Sequence, residues 1–334
     1  MEELVKIIAQ YPKGIAAGTL EKLTGLSRAT LNRKLKEAVD AELIIPQGAG
    51  SARIYLDADQ LRPIRQFFDT PHTERKIAPF REELLEFKPA LDGLDTAALK
   101  KSKGFRALEK KDLVQFLVDF SCASSVLEGG TYSLLDTQAL IEYGEKAEGK
   151  PLSDAFLVLN HKNAFEYLYD NLALGSIFEV HKRLTDDHDL PELKKATHFL
   201  GKERQGIVRN YEGEDVNIAL STYVPPLRPG TGYIKRMLER VLDISAAIPN
   251  PMESALYLLT RLPYLQPFAD GNKRTSRAMC NVPLLKAGMP PISFMDFGKK
   301  DYILSILTFY ELGNTQMAAH TFVNAYAKSC KRLA

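Results

Sequence analysis

Apolar residues recur three and four positions apart through most of this chain. That is the spacing of one helix face, and it predicts a mainly α protein. Leu4, Ile7 and Ile8 mark the inner face of a first helix, and Leu20 and Leu23 a short second one closed by Gly25. Ser27 is placed to cap a third helix whose inner face carries Leu31, Leu35 and Val39. Two strands follow, Leu43-Ile44-Ile45 and Arg53-Ile54-Tyr55-Leu56, joined by the turn Gln47-Gly48-Ala49-Gly50-Ser51. Pro63, Pro71, Pro79 and Pro89 then interrupt helix formation, so residues 57–112 read as a linker with approach helices. Helical spacing resumes at Leu113, Phe116, Leu117 and Phe120. It returns at Leu157, Ala164, Phe165 and Leu168, and again at Ile234, Met237, Leu238, Val241 and Leu242. Two buried segments, 255–262 and 278–285, flank a polar stretch. Residues 199–225 differ, with short apolar runs around Gly and Asn turns that predict a β-hairpin. Residues 296–334, with Tyr302, Ile306, Leu307 and Tyr310 at helical spacing, read as a helical cap on a domain spanning 113–295.

Helix, helix, helix, hairpin over 1–56 is the order of a winged helix-turn-helix domain. Its third helix carries Arg28, Asn32, Arg33, Lys34 and Lys36, with no acid between Ser27 and Lys36. An outer face of this kind fits a major groove, with Arg28, Thr30, Asn32 and Arg33 near bases or phosphates. A few charges on one helix support only weak, salt-sensitive binding to DNA, and a homodimer would be needed for tight binding. The same charges also fit a solvated face on a protein-docking domain. The basic clusters Lys100-Lys101-Ser102-Lys103 and Lys110-Lys111 read as solvated surface.

The polar stretch is Gln266-Pro267-Phe268-Ala269-Asp270-Gly271-Asn272-Lys273-Arg274-Thr275-Ser276-Arg277. A glycine-containing turn that opens a helix presents unpaired N–H groups, which suits an anion. Asn272, Lys273, Arg274 and Arg277 add donors and charge, and Arg274 and Arg277 share a helix face. Asp270 is the single acid, and one carboxylate among phosphate-binding donors suits a Mg2+–nucleotide complex. No Gly-x-x-x-x-Gly-Lys-Ser/Thr sequence is present, so a Walker-type site is not supported.

This stretch closely resembles the signature of the Fic (Fido-domain) family, His-x-Phe-x-Asp/Glu-Gly-Asn-Gly/Lys-Arg-x-x-Arg. It departs at one position, where Gln266 stands in place of the family's catalytic His. The resemblance implies a Fic helical core with a β-hairpin flap. It also implies transfer of AMP from ATP to a hydroxyl of a protein target. In the family scheme Asp270 holds Mg2+ between phosphates. Gly271, Asn272 and Lys273 cradle the α- and β-phosphates, and Arg274 and Arg277 neutralise the outer ones. Phe268 plugs the loop into the core. Gln266 lacks a proton acceptor of suitable pKa, and losing a positioned base costs about 10²–10⁴ in rate. Lys273 in place of a second Gly also occurs in the death-on-curing branch, which transfers the γ-phosphate.

Ser124-x-x-x-Glu128-Gly129, within 121–129, is similar to the family's inhibitory-helix motif. There the Glu pairs with the second Arg of the signature, Arg277 here, and so occupies the group meant for the γ-phosphate. Residues 203–225 resemble the flap that holds a target's backbone by strand addition. None of the six histidines lies in the signature, and His161 and His181 read as structural. Three functions follow from these features: a slow or altered transferase inhibited by Glu128, a catalytically silent ATP-binding transcriptional regulator, and a transcription factor that uses the Fic domain to dimerise.

Bulk properties add little to this. With 45% hydrophobic and 26% charged residues the chain reads as an ordinary globular protein, and a net charge of +2 makes any basic site local. Cys122, Cys280 and Cys330 lack metal-ligand spacing and read as reduced thiols of a cytoplasmic protein. Neither a signal peptide nor a membrane span is predicted.

Overall fold

A computed structural model of the chain describes residues 1–11, 14–47, 53–59, 61–91 and 109–333. The expected turn residues Gly48 to Ser51 and the Lys100–Lys103 cluster lie outside them. Two compact units divide the chain, 1–75 and 76–334.

The first unit runs α1 (Glu2–Ala9), β1 (Ile15–Ala16), α2 (Ala17–Thr24), α3 (Arg28–Asp40), β2 (Ile44–Gln47), β3 (Ile54–Asp57) and α4 (Arg62–Asp69). Its sheet has the antiparallel order β1-β3-β2, with Ile15 opposite Tyr55 and Ile45 opposite Leu56. Leu4, Val5, Ile8, Ile15, Leu20, Leu31, Leu35, Ala38 and Ile44 form the core. Gly25 ends α2 in the left-handed conformation, and the Ser27 hydroxyl accepts from Thr30 N–H at the start of α3. One expectation differs. Leu23 points outward, about half exposed, and Leu20 is the buried residue of α2. The segment after β3 forms α4, since Pro63 sits in the first turn, where its missing N–H costs nothing.

The second unit contains β4 (Ala78–Pro79), α5 (Lys110–Leu127), α6 (Leu134–Tyr143), α7 (Leu152–Asp170), α8 (Ile177–Leu184), α9 (Pro191–Lys194) and β5 (Tyr223–Val224). It continues with α10 (Tyr233–Ala247), α11 (Pro251–Leu265), α12 (Asn272–Met279), α13 (Asn281–Lys286), α14 (Lys299–Leu312) and α15 (Gln316–Arg332). α11 is the central helix. It starts with an Asn250 cap and Pro251, and every residue from Met252 to Leu265 is buried. α10, α12, α13, α14 and α15 pack around it. The segment 81–91 is tied to it by polar contacts. Tyr264 Oη accepts from Arg81 N–H, Tyr257 Oη donates to Leu85 O, and the Glu253 carboxylate accepts from Ala90 and Leu91 N–H.

Residues 203–225, expected as a hairpin, form an irregular loop with one two-residue strand. Tyr223–Val224 pairs in parallel with Ala78–Pro79 rather than with a neighbouring strand. The reason is a buried guanidinium. Arg209 donates to Gln266 O (2.7 Å), Glu214 O (2.8 Å) and Pro226 O (3.1 Å), so the loop folds around a side chain instead of a ladder. The Glu214 carboxylate in turn accepts from Asn210 and Tyr211 N–H.

Leu258, fully buried at the centre of α11, is the residue whose loss this packing makes most costly. Leu258→Ala is expected to destabilise the chain by about 2–5 kcal/mol in urea unfolding, whereas Leu135→Ala, at a largely exposed position, should change it by less than about 0.5 kcal/mol.

Candidate active site

Gln266 ends α11 with φ 50° and ψ 58°, a left-handed conformation that a non-glycine residue adopts only when its surroundings hold it. What holds it is a closed set of hydrogen bonds. Its amide Nε2 donates to Pro263 O (2.6 Å) and to Tyr310 Oη (3.2 Å), and its Oε1 accepts from Asn272 Nδ2 (2.7 Å). Asn272 also bridges the loop, accepting from Phe268 N–H and donating to Phe268 O, each at 2.9 Å. Phe268 is wholly buried and stacks on His181 with ring centroids 3.8 Å apart. Gly271 caps α12 with φ 73°, and a Cβ there would meet Thr185 Cγ2 at 2.9 Å, so only glycine fits.

His181 and His161 anchor the loop from behind. His181 Nδ1 accepts from Gly206 N–H (2.8 Å), so its proton lies on Nε2, which donates to Asp270 O (2.9 Å). Burial pushes the His181 imidazole down to about 4. Burial, with Arg277 and Arg274 nearby, pushes His161 down to about 3, and its Nδ1–H donates to Leu157 O. Both are structural histidines.

The last turn of the signature meets the end of α5. Arg277, with no exposed surface, donates through Nε to Ser124 Oγ (2.8 Å), through Nη1 to Tyr302 Oη (2.9 Å), and through Nη2 to Glu128 Oε1 (2.7 Å) and Ser124 O (3.2 Å). Lys273 Nζ lies 3.7 Å from Glu128 Oε2. Burial alone would raise the Glu128 pKa, but Arg277, then Lys273 and Arg274, hold it well below the usual carboxylate range. Gly129 follows in a left-handed conformation that ends the helix region. Arg274 is committed through its two terminal nitrogens. Its Nη1 donates to Leu184 O and His198 O, and its Nη2 to Asp270 Oδ2 (2.8 Å).

A cavity of about 330 Å³ opens over this loop. Its polar wall carries Glu128, His198, Gln266, Asp270, Gly271, Asn272, Lys273, Tyr302 and Tyr310. Its apolar wall carries Leu127, Val216, Ile218, Ile303, Ile306 and Leu307. The structure therefore brings Gln266, Asp270, Gly271, Asn272, Lys273 and Glu128 to one cavity. Phe268, Arg274 and Arg277 stand behind it, turned to protein partners. Sequence reasoning missed His198, Tyr302 and Tyr310. The stripe Tyr302, Ile306 and Tyr310, spaced four apart, was a usable signal, but it reads equally well as a core face. His198 lies in no motif.

The Asp270 carboxylate is about half exposed to the cavity, so it fits an oxygen-seeking cation such as Mg2+ beside phosphates. Burial would raise its pKa, and Arg274 with the Gly271 N–H lowers it overall. Among the described residues no three His, Cys, Asp or Glu side chains converge on one point, and no helix is long and apolar enough to cross a membrane.

The proposed DNA-contacting side chains are mostly engaged within the first unit. Arg28 pairs with Glu21 (3.1 Å), Arg33 with Glu37 (2.6 Å), and the Thr30 hydroxyl lies against Ser27 Oγ. Asn32 is exposed.

Residues 171–284 match the family model described as Fic/DOC family. That stretch, about a third of the chain, is similar to a Fic domain. A protein adenylyltransferase Fic of Nematostella vectensis is 26% identical over 187 residues, covering 54% of this chain and 40% of that protein. Protein adenylyltransferase fic-1 of Caenorhabditis elegans is 26% identical over 192 residues, covering 54% and 34%. The match thus spans well under half the length of these relatives. In fold, the chain is similar to a Fic family protein from Desulfovibrio desulfuricans (TM-score 0.54, 17% identity, 74% of each chain covered). It is likewise similar to Fic-1 from C. elegans (TM-score 0.51, 20% identity, 99% and 79% covered).

The two buried histidines, His161 and His181, make the stability of the second unit depend on pH. Their folded pKa values, about 3 and about 4, lie below the ordinary 6.5. The unfolded chain therefore takes up protons first as pH falls, and the stability that neutral histidine provides is fully present above about pH 6.5 and lost progressively toward pH 4. The melting temperature should fall across that window, and His181→Gln should flatten the fall. A melting temperature that stays constant from pH 7 to pH 4.5 contradicts the assignment.

Proposed function

We propose that this chain is an autoinhibited Fic-type protein that binds ATP with Mg2+ and transfers AMP, slowly, to a hydroxyl of a protein target. The observation that carries the reading is the Arg277–Glu128 pair beneath the cavity, because an arginine so placed is the group a terminal phosphate would take. Asp270 would hold the metal. A cation held there would supply positive charge to offset that of the phosphates. Lys273 and the first-turn N–H groups of α12 would receive phosphate oxygens. The wall of Ile303, Ile306 and Leu307 suits a flat, weakly polar group such as a base. The loop at 216–220 borders the cavity and is the natural place for the target chain.

Transfer joins the target's hydroxyl oxygen to the α-phosphorus as the bond to pyrophosphate breaks, and the hydroxyl proton must leave. Gln266 cannot accept it, and its amide is already bonded at both ends. That feature also favours a second reading, a catalytically silent ATP-binding regulator. We read the first unit, in the order α1-β1-α2-α3-β2-β3, as a winged helix that would report nucleotide state to DNA. Retardation of DNA by the intact chain that changes on adding ATP would favour this reading over transfer.

The deciding experiment uses α- and γ-labelled ATP with Glu128→Gly and with Glu128→Gly/Gln266→His. The double variant is expected to label protein from the α position about 10²–10⁴ times faster than the single variant. Label from the γ position would make the chain a kinase, and no label with either variant would count against the nucleotide site.

A further inference from the structure

His198 lies just after α9 with φ 78°, in a backbone region that few non-glycine residues enter. Arg274 holds it there, because Nη1 donates to the His198 carbonyl at 2.9 Å. The other arm of the same buried guanidinium, Nη2, holds Asp270 Oδ2 at 2.8 Å. One cation thus fixes two residues against one wall of the cavity. The His198 imidazole is partly exposed there, and no hydrogen bond is made by it among the described residues. Arg274 takes only one of the roughly four lone-pair positions of the Asp270 carboxylate. Nearness shows in the electrostatics too. Burial, then Arg274, lowers the imidazole pKa, and Asp270 and Glu128 are close enough to raise it.

We propose that His198 and Asp270 form a two-ligand site for a divalent cation, and that its imidazole nitrogen makes it prefer first-row transition-metal ions to magnesium. Mg2+ demands oxygen donors in near-ideal octahedral geometry, whereas imidazole suits the later ions. The protein supplies two ligands, and nucleotide phosphates and water complete the shell. The preference rests on the reading of the cavity as a nucleotide site. The carboxylates of Asp270 and Glu128 stand among three cations, Lys273, Arg274 and Arg277, which leaves positive charge for phosphates to offset.

The test uses the full chain with saturating ADP, which lacks the γ-phosphate that Glu128 would displace. Free Mn2+ is followed by its electron paramagnetic resonance signal, and Mg2+ affinity by competition. Mn2+ should bind at least about tenfold more tightly than Mg2+, with nitrogen coupling visible in the spin-echo spectrum. His198→Asn, which tolerates the backbone conformation, should weaken Mn2+ at least about tenfold, lose that coupling, and leave Mg2+ within about threefold. His198→Gly is the second variant if the first does not fold. Mn2+ affinity unchanged by both variants, or no nitrogen coupling in the unaltered chain, overturns the proposal. If calorimetry shows no ADP binding, the nucleotide reading fails separately. The visible spectrum of added Co2+ then decides, since a His198-dependent spectrum retains the two-ligand site and its absence removes it.

Discussion

The second unit is built around a guanidinium that water never reaches. Removing an arginine from water costs several kcal/mol, and Arg277 recovers this only because every arm finds an acceptor: the Ser124 hydroxyl and carbonyl, the Glu128 carboxylate and the Tyr302 phenol. Those partners come from the end of α5 and from α14, while Arg277 itself belongs to α12. Satisfying one side chain therefore locks three helices together. The same demand sets the electrostatics of the cavity. Glu128 stays ionised in a buried position because of Arg277, and Lys273 leans toward it from the cavity side. A terminal phosphate could offer Arg277 the same charge and geometry, which gives the proposed autoinhibition its physical form as a competition between two anions for one buried cation.

The loop ahead of α12 has the opposite character, since its polar groups are turned inward and spent on one another. Asn272 closes a ring of bonds through Phe268 and the Gln266 amide, and Tyr310 completes it from α14. A glutamine suits this role because its amide donates and accepts at once. A neutral histidine with one ring nitrogen bonded would leave the other free for a proton. Gln266 thus gives a rigid loop at the expense of a base. The orientation of phosphates and the removal of a proton are separate tasks here, and the residues present serve the first far better than the second.

Much of this could be read along the chain. Ser27 and Gly25 mark helix ends by chemistry that acts within four residues, so they are visible locally. Ser124, Glu128 and Arg277 stand out as motif positions, and hydrogen bonds unite them across some 150 positions of sequence. What escaped was decided by distant partners. Residues 203–225 have the turns of a hairpin, but buried Arg209 organises them through carbonyls of Gln266 and Pro226 that no local pattern reveals. Tyr302 and Tyr310 look like any apolar helix stripe until α14 is laid against the cavity. His198 gains its position from Arg274, which is remote in sequence and already assigned to phosphate by its motif.

The account turns on Glu128 and a nucleotide competing for Arg277, and calorimetric titration of ATP with Mg2+ into the unaltered chain and into Glu128→Gly measures that competition directly. Removal of the carboxylate should tighten ATP by at least about tenfold, or about 1.4 kcal/mol, with ADP changing much less. Equal or weaker ATP affinity in Glu128→Gly, with the variant folded, would contradict it.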